Sequence, residues 1–257
     1  MANRWYKKGF LLIGMVLVSV VTAEAQLALG FRGGVSVGFP SYSRAYRSIY
    51  LDEYDVGFSP GMTFGLVGDT KVGSIFSLQT ELNYSLKGVR VNRNESDFVN
   101  NTMMLHYLDF PILLKTRLNK GPQKFYLTFG PTISYWLGGN MNIKANELDE
   151  WDIERLSLAM TFDPDKQFEN DLIYIPEANR LQFGLSIGGG FENDLRNGQR
   201  FMIDVRYDIG HTFLSSVRDV DTSLSTYQAN METNNQVIAV SVIFVYDLKT
   251  LRRNLAK

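Results

Sequence analysis

The chain has 257 residues, no cysteine, and 26 basic against 27 acidic side chains, for a formal net charge of −1. That balance excludes the basic footprint of a nucleic-acid binder, and the missing cysteines exclude a disulfide framework and a lipid-anchored bacterial lipoprotein. A mean hydropathy of −0.11 excludes a bundle of membrane-spanning helices, though not a barrel, in which half of every strand is polar.

The first residues read as a secretory leader. Arg4, Lys7 and Lys8 form a basic start, residues 10–21 are an apolar run too short to span a bilayer, and Ala23-Glu-Ala25 is a small-x-small cleavage box. Cleavage is expected between Ala25 and Gln26. The leader carries three bases and Glu24, a net of +2, so removing it from a chain of −1 leaves the mature protein near −3.

The alternation then begins. Residues 27–38 place Leu27, Leu29, Phe31, Val35 and Val37 on one parity and Ala28, Gly30, Arg32, Gly34, Ser36 and Gly38 on the other. Successive side chains of a strand point to opposite faces, so this is a first strand with one apolar and one small or polar face. Residues 40–57 read as a loop carrying Tyr42, Tyr46, Tyr50 and Tyr54 at four-residue spacing, with Arg44 and Arg47 between. An aromatic platform for a sugar or peptide would have this form, but loop packing or a position near a membrane interface accounts for it more simply. The second strand is residues 58–68, with Met62, Phe64 and Leu66 on the apolar face, followed by a short turn over 69–73.

The third strand, residues 75–88, has the clearest pattern of all. Phe76, Leu78, Leu82, Tyr84 and Leu86 alternate with Ser77, Gln79, Glu81, Asn83, Ser85 and Lys87. A polar loop is expected over 92–101. The fourth strand, 103–116, sets Leu108, Phe110, Ile112 and Leu114 against Tyr107, Asp109, Leu113 and Lys115, with Pro111 predicting a bulge or bend. After a short turn over 119–123 comes the fifth, in which Phe125, Leu127, Phe129, Ile133, Tyr135 and Leu137 alternate with Tyr126, Thr128, Thr132, Ser134 and Trp136.

Residues 138–179 are the longest stretch without strand character, and between Lys144 and Glu177 they hold ten acidic and three basic residues. Asn146 and Asp149 suggest a helix start, with Leu148, Trp151, Leu156 and Ala159 along one face. Asp163, Asp165, Glu169 and Asp171 would be calcium ligands only in a spacing that is absent here, so a solvated acidic loop is expected. The sixth strand, 180–192, turns Gln182, Ser186 and Glu192 to the polar face, and a short turn covers 193–199. The seventh, 200–209, turns Met202, Asp204, Arg206 and Asp208 inward. A long loop over 210–235 precedes the eighth strand, 236–246, whose lipid face is Ile238, Val240, Val242, Phe244 and Tyr246.

Eight strands, an even number, are joined by connections that alternate long and short, with both termini on the short side. A soluble sandwich has no reason to keep its long loops on one rim, whereas bacterial outer-membrane barrels do. The predicted fold is therefore all-β, an eight-stranded antiparallel up-and-down transmembrane β-barrel over 26–247, preceded by a signal peptide (1–25) and followed by a basic periplasmic tail (248–257). Its surroundings are outer-membrane lipid and the barrel assembly machinery.

Four segments carry a family resemblance: Leu78-Gln-Thr-Glu-Leu-Asn-Tyr-Ser-Leu-Lys-Gly88, Tyr107-Leu-Asp-Phe-Pro-Ile-Leu-Leu-Lys115, Phe129-Gly-Pro-Thr-Ile-Ser-Tyr135 and Asp204-Val-Arg-Tyr207. Together they resemble the PorT-like outer-membrane β-barrel family of Bacteroidota. The resemblance implies a barrel over the whole mature chain and an accessory role in type IX secretion and gliding. It assigns no functional residue.

An eight-stranded barrel is just wide enough for side chains to fill. Arg32, Glu81, Lys87, Asp109, Lys115, Glu192, Asp204, Arg206 and Asp208 share the inward faces and are expected to form an ion-pair network closing the lumen. That reading gives a non-enzymatic envelope protein that meets a protein partner through its external loops or its tail, with no cofactor, metal or nucleic acid. The competing class is an outer-membrane enzyme acting on lipid or peptide. His106 and His211 are the two histidines, and both are placed near the outer rim with Ser215 or Ser216, but no Ser-His-Asp arrangement can be read from the spacing.

Overall fold

Eight long antiparallel strands close on themselves. They are β1 (Leu27–Tyr42), β2 (Ser59–Lys71), β3 (Phe76–Arg93), β4 (Val99–Arg117), β5 (Gln123–Ala145), β6 (Leu181–Asp194), β7 (Gln199–Gly210) and β8 (Thr233–Asp247). Each pairs with the next in sequence, and β8 pairs back onto β1 from Ala28↔Asp247 to Tyr42↔Thr233, so no barrel strand has a free edge. The computed structural model describes residues 27–43, 54–93, 98–167, 169, 171–222, 224–225 and 227–250. The expected leader, with its Ala25–Gln26 cleavage point, lies outside the described residues, as do Arg44, Tyr46, Arg47, Tyr50 and the end of the tail, 251–257.

One rim carries tight turns. Val72 and Gly73 donate backbone hydrogen bonds to the Phe76 carbonyl. Asn119 ties the 118–122 turn from both sides, donating to the Gln123 carbonyl at 2.7 Å and accepting from the Phe125 amide at 2.7 Å. At the third turn Asn197 and Gly198 take φ of 64° and 77°, conformations open to Asn and Gly at little cost. The opposite rim carries the long connections, but the strands run further into them than the sequence suggests. β3 and β4 reach Arg93 and Val99, and β5 runs on to Ala145.

Residues 138–179, expected to be a loop, contain the end of β5, a four-residue helix (Asn146–Asp149) and two short strands, Leu156–Thr161 and Leu172–Tyr174, that extend the sheet beside β5. Leu148 is buried on that helix as expected. Leu156 and Ala159 instead sit on a strand, and Trp151 is half exposed. The cause is a bulge. Pairing between β4 and β5 shifts between His106 and Tyr107, opposite Trp136 and Gly138, and Gly138 takes φ of 151° to make it. The inward parity of β5 changes there from even (Tyr126, Thr128, Trp136) to odd (Met141, Ile143, Ala145), which hides the strand from a search for alternation. Pro111, where a bulge was expected, costs only local ladder pairs between β4 and its neighbours.

Outward residues of the turn-side two thirds of the barrel are large and apolar. Phe31, Val35, Phe64, Leu82, Phe129, Phe183, Ile203 and Val240 are all exposed. Inward, the same strands are polar. Toward the long-loop rim the pattern reverses. Val89, Val91, Met103, Leu105, Met141 and Ile143 point in and pack with Leu148, Leu158, Ile173, Leu214, Tyr227 and Met231 into an apolar cap. The residues between 210 and 233, read as plain loop, supply part of it and include a small hairpin, Asp219–Asp221 with Gln228–Asn230.

Candidate functional site

The inward charges gather in three groups along the lumen. Deepest, near the tight-turn rim, Lys115 of β4 lies 2.5 Å from Glu192 of β6 and 3.2 Å from Asp69 of β2. Arg117 binds Glu192 at 3.0 Å, and Arg200 of β7 binds Asp69 at 3.0 Å. Lys115 also sits 4.2 Å over the Tyr126 ring, which belongs to a small apolar group with Ala28, Val67, Met202, Ile243 and Val245 that fills this end. A Cβ at Gly190 would lie 2.0 Å from the Ile203 carbonyl and 2.6 Å from the Tyr126 hydroxyl, so the glycine leaves room both for the β7 backbone and for that ring.

The central group is a four-membered ring of charge. Arg32 of β1 meets Glu81 of β3 at 3.4 Å and Asp204 of β7 at 3.0 Å, and Arg206 meets the same two at 2.9 and 3.3 Å. Gln79 and Asn83 donate to the two Glu81 oxygens at 2.6 and 2.8 Å, and Tyr126 donates to Asp204 at 3.1 Å. No side chain of the four ions exceeds 2% exposure, so two positive and two negative charges neutralise one another out of water. Alternation dictates this meeting, because each is an inward position of its strand and the barrel is narrow.

Above it Lys87 pairs with Asp109 at 2.8 Å, Ser134 donates to Asp109 at 2.5 Å, and Ser186 bonds Asp208. Among the described residues Asp208 has no cation within ion-pair distance. Lys87, Asp109, Ser134 and Asp208, with Arg32, Ser36 and Arg206, line a cavity of about 50 Å³, room for a few waters but not for a solute. Tyr107 closes it from above, donating to Gln182 at 3.2 Å and accepting from Asn235 at 3.1 Å, and the apolar cap lies beyond.

All nine inward charges anticipated from the pattern therefore face the lumen, in three separate groups rather than one network. Asp69, Arg117 and Arg200 belong to the deepest group and were not anticipated. Asp69 and Arg117 continue the inward parity of their strands (after Val67 and Lys115) one residue past the expected strand ends, and Arg200 opens the seventh strand on the parity of Met202; that parity is the signal that would have found them.

The histidines do not assemble a catalytic group. His106 faces outward and its Nδ1 lies 2.5 Å from the Tyr84 hydroxyl. His211 is exposed, its amide bonded to the Phe183 carbonyl. The Ser215 hydroxyl donates to the Pro176 carbonyl at 2.6 Å and accepts from the Val217 amide at 2.9 Å, and Ser216 is exposed. Among the described residues no three acidic or histidine side chains converge as metal ligands, and no helix is long and apolar enough to cross a membrane.

A closed ring of eight strands, apolar outside and charged inside, defines a transmembrane β-barrel. The chain belongs to the outer membrane protein beta-barrel domain family, whose model matches residues 22–212, and it is a protein of the Gram-negative outer membrane. No curated protein sequence matches it significantly. Among solved structures it is similar to the outer membrane protein OprG from Pseudomonas aeruginosa, at 12% identity over 86% of this chain and 95% of that one, with a TM-score of 0.45. It is also similar to Neisserial surface protein A, at 10% identity over 84% and 97%, TM-score 0.33. A third likeness is to Ail, the attachment invasion locus protein of Yersinia pestis, at 10% identity over 86% and 99%, TM-score 0.31.

Proposed function

We propose that this protein is a non-enzymatic outer-membrane barrel with a closed lumen, which acts through its long-loop rim, outside the cell, in envelope structure or interaction. The observation that carries the reading is the double closure: buried ion pairs run up the barrel from Asp69 to Asp109, and the apolar cap sits over their open end. Building a second core above the membrane serves an exposed surface, not a pore. The orientation follows from loop length, because such barrels keep tight turns and both termini in the periplasm. Among the described residues the cap presents an apolar tip to its surroundings. Trp151 and Ile153 are 50% and 40% exposed, flanked by Glu150, Asp152 and Glu154 and held by hydrogen bonds from both amides to the Leu148 carbonyl. Planar-bilayer recording tests the proposal. The reconstituted protein should show no large steady conductance, and porin-like channels in the unmodified chain would reject it.

A second reading is an accessory role in type IX secretion and gliding, supported by the PorT-like segments over 78–88 and 107–115. Deleting the gene and assaying secreted cargo tests it: unchanged secretion would remove that role and leave the first reading intact.

A further inference from the structure

Arg180 is a cation that the lumen does not use. It stands just before β6, tied to β5 by a backbone hydrogen bond from Trp136 to its carbonyl at 2.7 Å. Its Nε donates to the Trp136 carbonyl at 3.2 Å. Its guanidinium lies 4.7 Å from the centre of the Tyr135 ring and 4.7 Å from that of Phe162. Among the described residues no carboxylate pairs with it, and its two terminal nitrogens have no partner.

Its height on the barrel follows from the residues it touches, Tyr135 and Trp136 of β5. Tyr84, Leu108, Tyr135 and Leu181 are successive partners across β3, β4, β5 and β6. Tyr135 is 40% exposed on the lipid side, and Tyr84 bonds His106 on the same face. Just past this row the inward faces change from polar to apolar at Tyr107 and Trp136. Aromatic side chains with a polar end collect where hydrocarbon gives way to headgroups. Arg180 therefore sits at headgroup level on the long-loop side.

A guanidinium there has a defined complement. Stacking between two ring faces holds it in one orientation, so little side-chain freedom remains to be lost on binding. Its free nitrogens present a planar fork that matches phosphate oxygens. We propose that Arg180 binds the phosphate monoester of a lipid headgroup in the outer leaflet. The leaflet rests on the orientation proposed above, which an epitope tag within 150–170, labelled on intact cells, tests separately.

The experiment is native mass spectrometry of the purified mature chain in detergent micelles, titrated with phosphatidic acid or with phosphatidylcholine. The unmodified protein should retain one phosphatidic acid in preference to phosphatidylcholine. Arg180→Gln should weaken that retention at least about tenfold, the scale of a hydrogen bond to a charged group. Arg180→Lys keeps the charge but loses the fork and the stack, and should weaken it about threefold or more. The heat-modifiable gel shift reports whether each variant is folded, and if Arg180→Gln is not, Arg180→Lys carries the test. Retention unchanged in the folded variants overturns the site. Displacement of the lipid by an equal concentration of inorganic phosphate would overturn the lipid assignment, and the expected result is that the lipid stays bound.

Discussion

Two regions of this molecule are built on the same strands by opposite rules. On β3, Glu81 and Val89 share a parity and both point inward, buried to 2% and 0% exposure. Leu82 and Arg90 share the other parity and both point outward. Nothing in the backbone changes between them, because the strand is continuous and pairs with β4 on one register throughout. What changes is the surroundings. Where the outside is hydrocarbon, the polar side chains have only the lumen to go to, and there they must neutralise one another. Where the outside is water, burial of apolar surface again drives assembly and the inside becomes an ordinary core. The membrane boundary is thus written into the chain as the point where the two faces exchange character, near Lys87 on β3, Tyr107 on β4 and Trp136 on β5.

The largest effect should come from removing a charge in the lumen. Glu81→Ala leaves Arg32 and Arg206 sharing Asp204 alone, with Gln79 and Asn83 also losing their acceptor. Breaking a buried pair on one side costs roughly 3–5 kcal/mol, because the remaining charge stays desolvated. Urea titration of the barrel in lipid vesicles, followed by the gel shift of the folded form, should show a loss of this size or failure to fold. A loss under about 1 kcal/mol would mean that water reaches the central group and that the lumen is not closed.

A smaller effect tests the exchange of faces directly. Leu82→Arg puts a cation against hydrocarbon near the middle of the band and should cost roughly 2–4 kcal/mol. Arg90→Leu, at the same parity on the same strand, removes an exposed cation from the water-facing side and should change stability by no more than about 0.5 kcal/mol. The same urea titration measures both. A gain of about 2 kcal/mol or more from Arg90→Leu would place residue 90 in hydrocarbon and erase the boundary.

The lumen half of this contrast was legible in the sequence and the cap half was not. Within the membrane each strand alternates strictly, so Phe76 to Lys87 or Phe125 to Trp136 can be sorted by parity alone. Even β8, whose two faces are both apolar, sorts correctly, because Ile243 and Val245 pack inward with Tyr126 and Met202 while Val240 and Val242 remain about half exposed. The cap escapes for three physical reasons. The bulge at Gly138 shifts the parity of β5 in mid-strand. The inward residues of β3 and β4 turn apolar just where their outward residues turn polar, so strand ends read as loops. The short strands 156–161 and 172–174 pair in parallel through a crossover whose contacts are not local in sequence. Asp69 and Arg117 were lost in the same way, as strand ends mistaken for turns.

The smallest expected effect completes the comparison, because it concerns an ion pair of the same length in the other solvent. Lys144 and Glu154, on the outside of the cap, lie 2.9 Å apart, the separation of Arg206 and Glu81 in the lumen. Glu154 is 85% exposed in its side chain, and its carboxyl is held below the usual glutamate range first by the hydrogen bond from Lys144 and then by the charge of that lysine. A lowered carboxylate adds stability above its unfolded pKa and loses it as pH falls through the folded value, so any contribution would fade on the acid side of the ordinary glutamate range. Water screens both partners, and exposed pairs of this kind rarely contribute measurably. Glu154→Gln should therefore leave the protease resistance of residues 146–180 unchanged at neutral pH, and the acid-side loss of resistance should follow the same curve in variant and parent. Faster cleavage of the variant at neutral pH would show that the cap depends on its surface charges as the lumen depends on its buried ones, and the contrast between the two regions would fail.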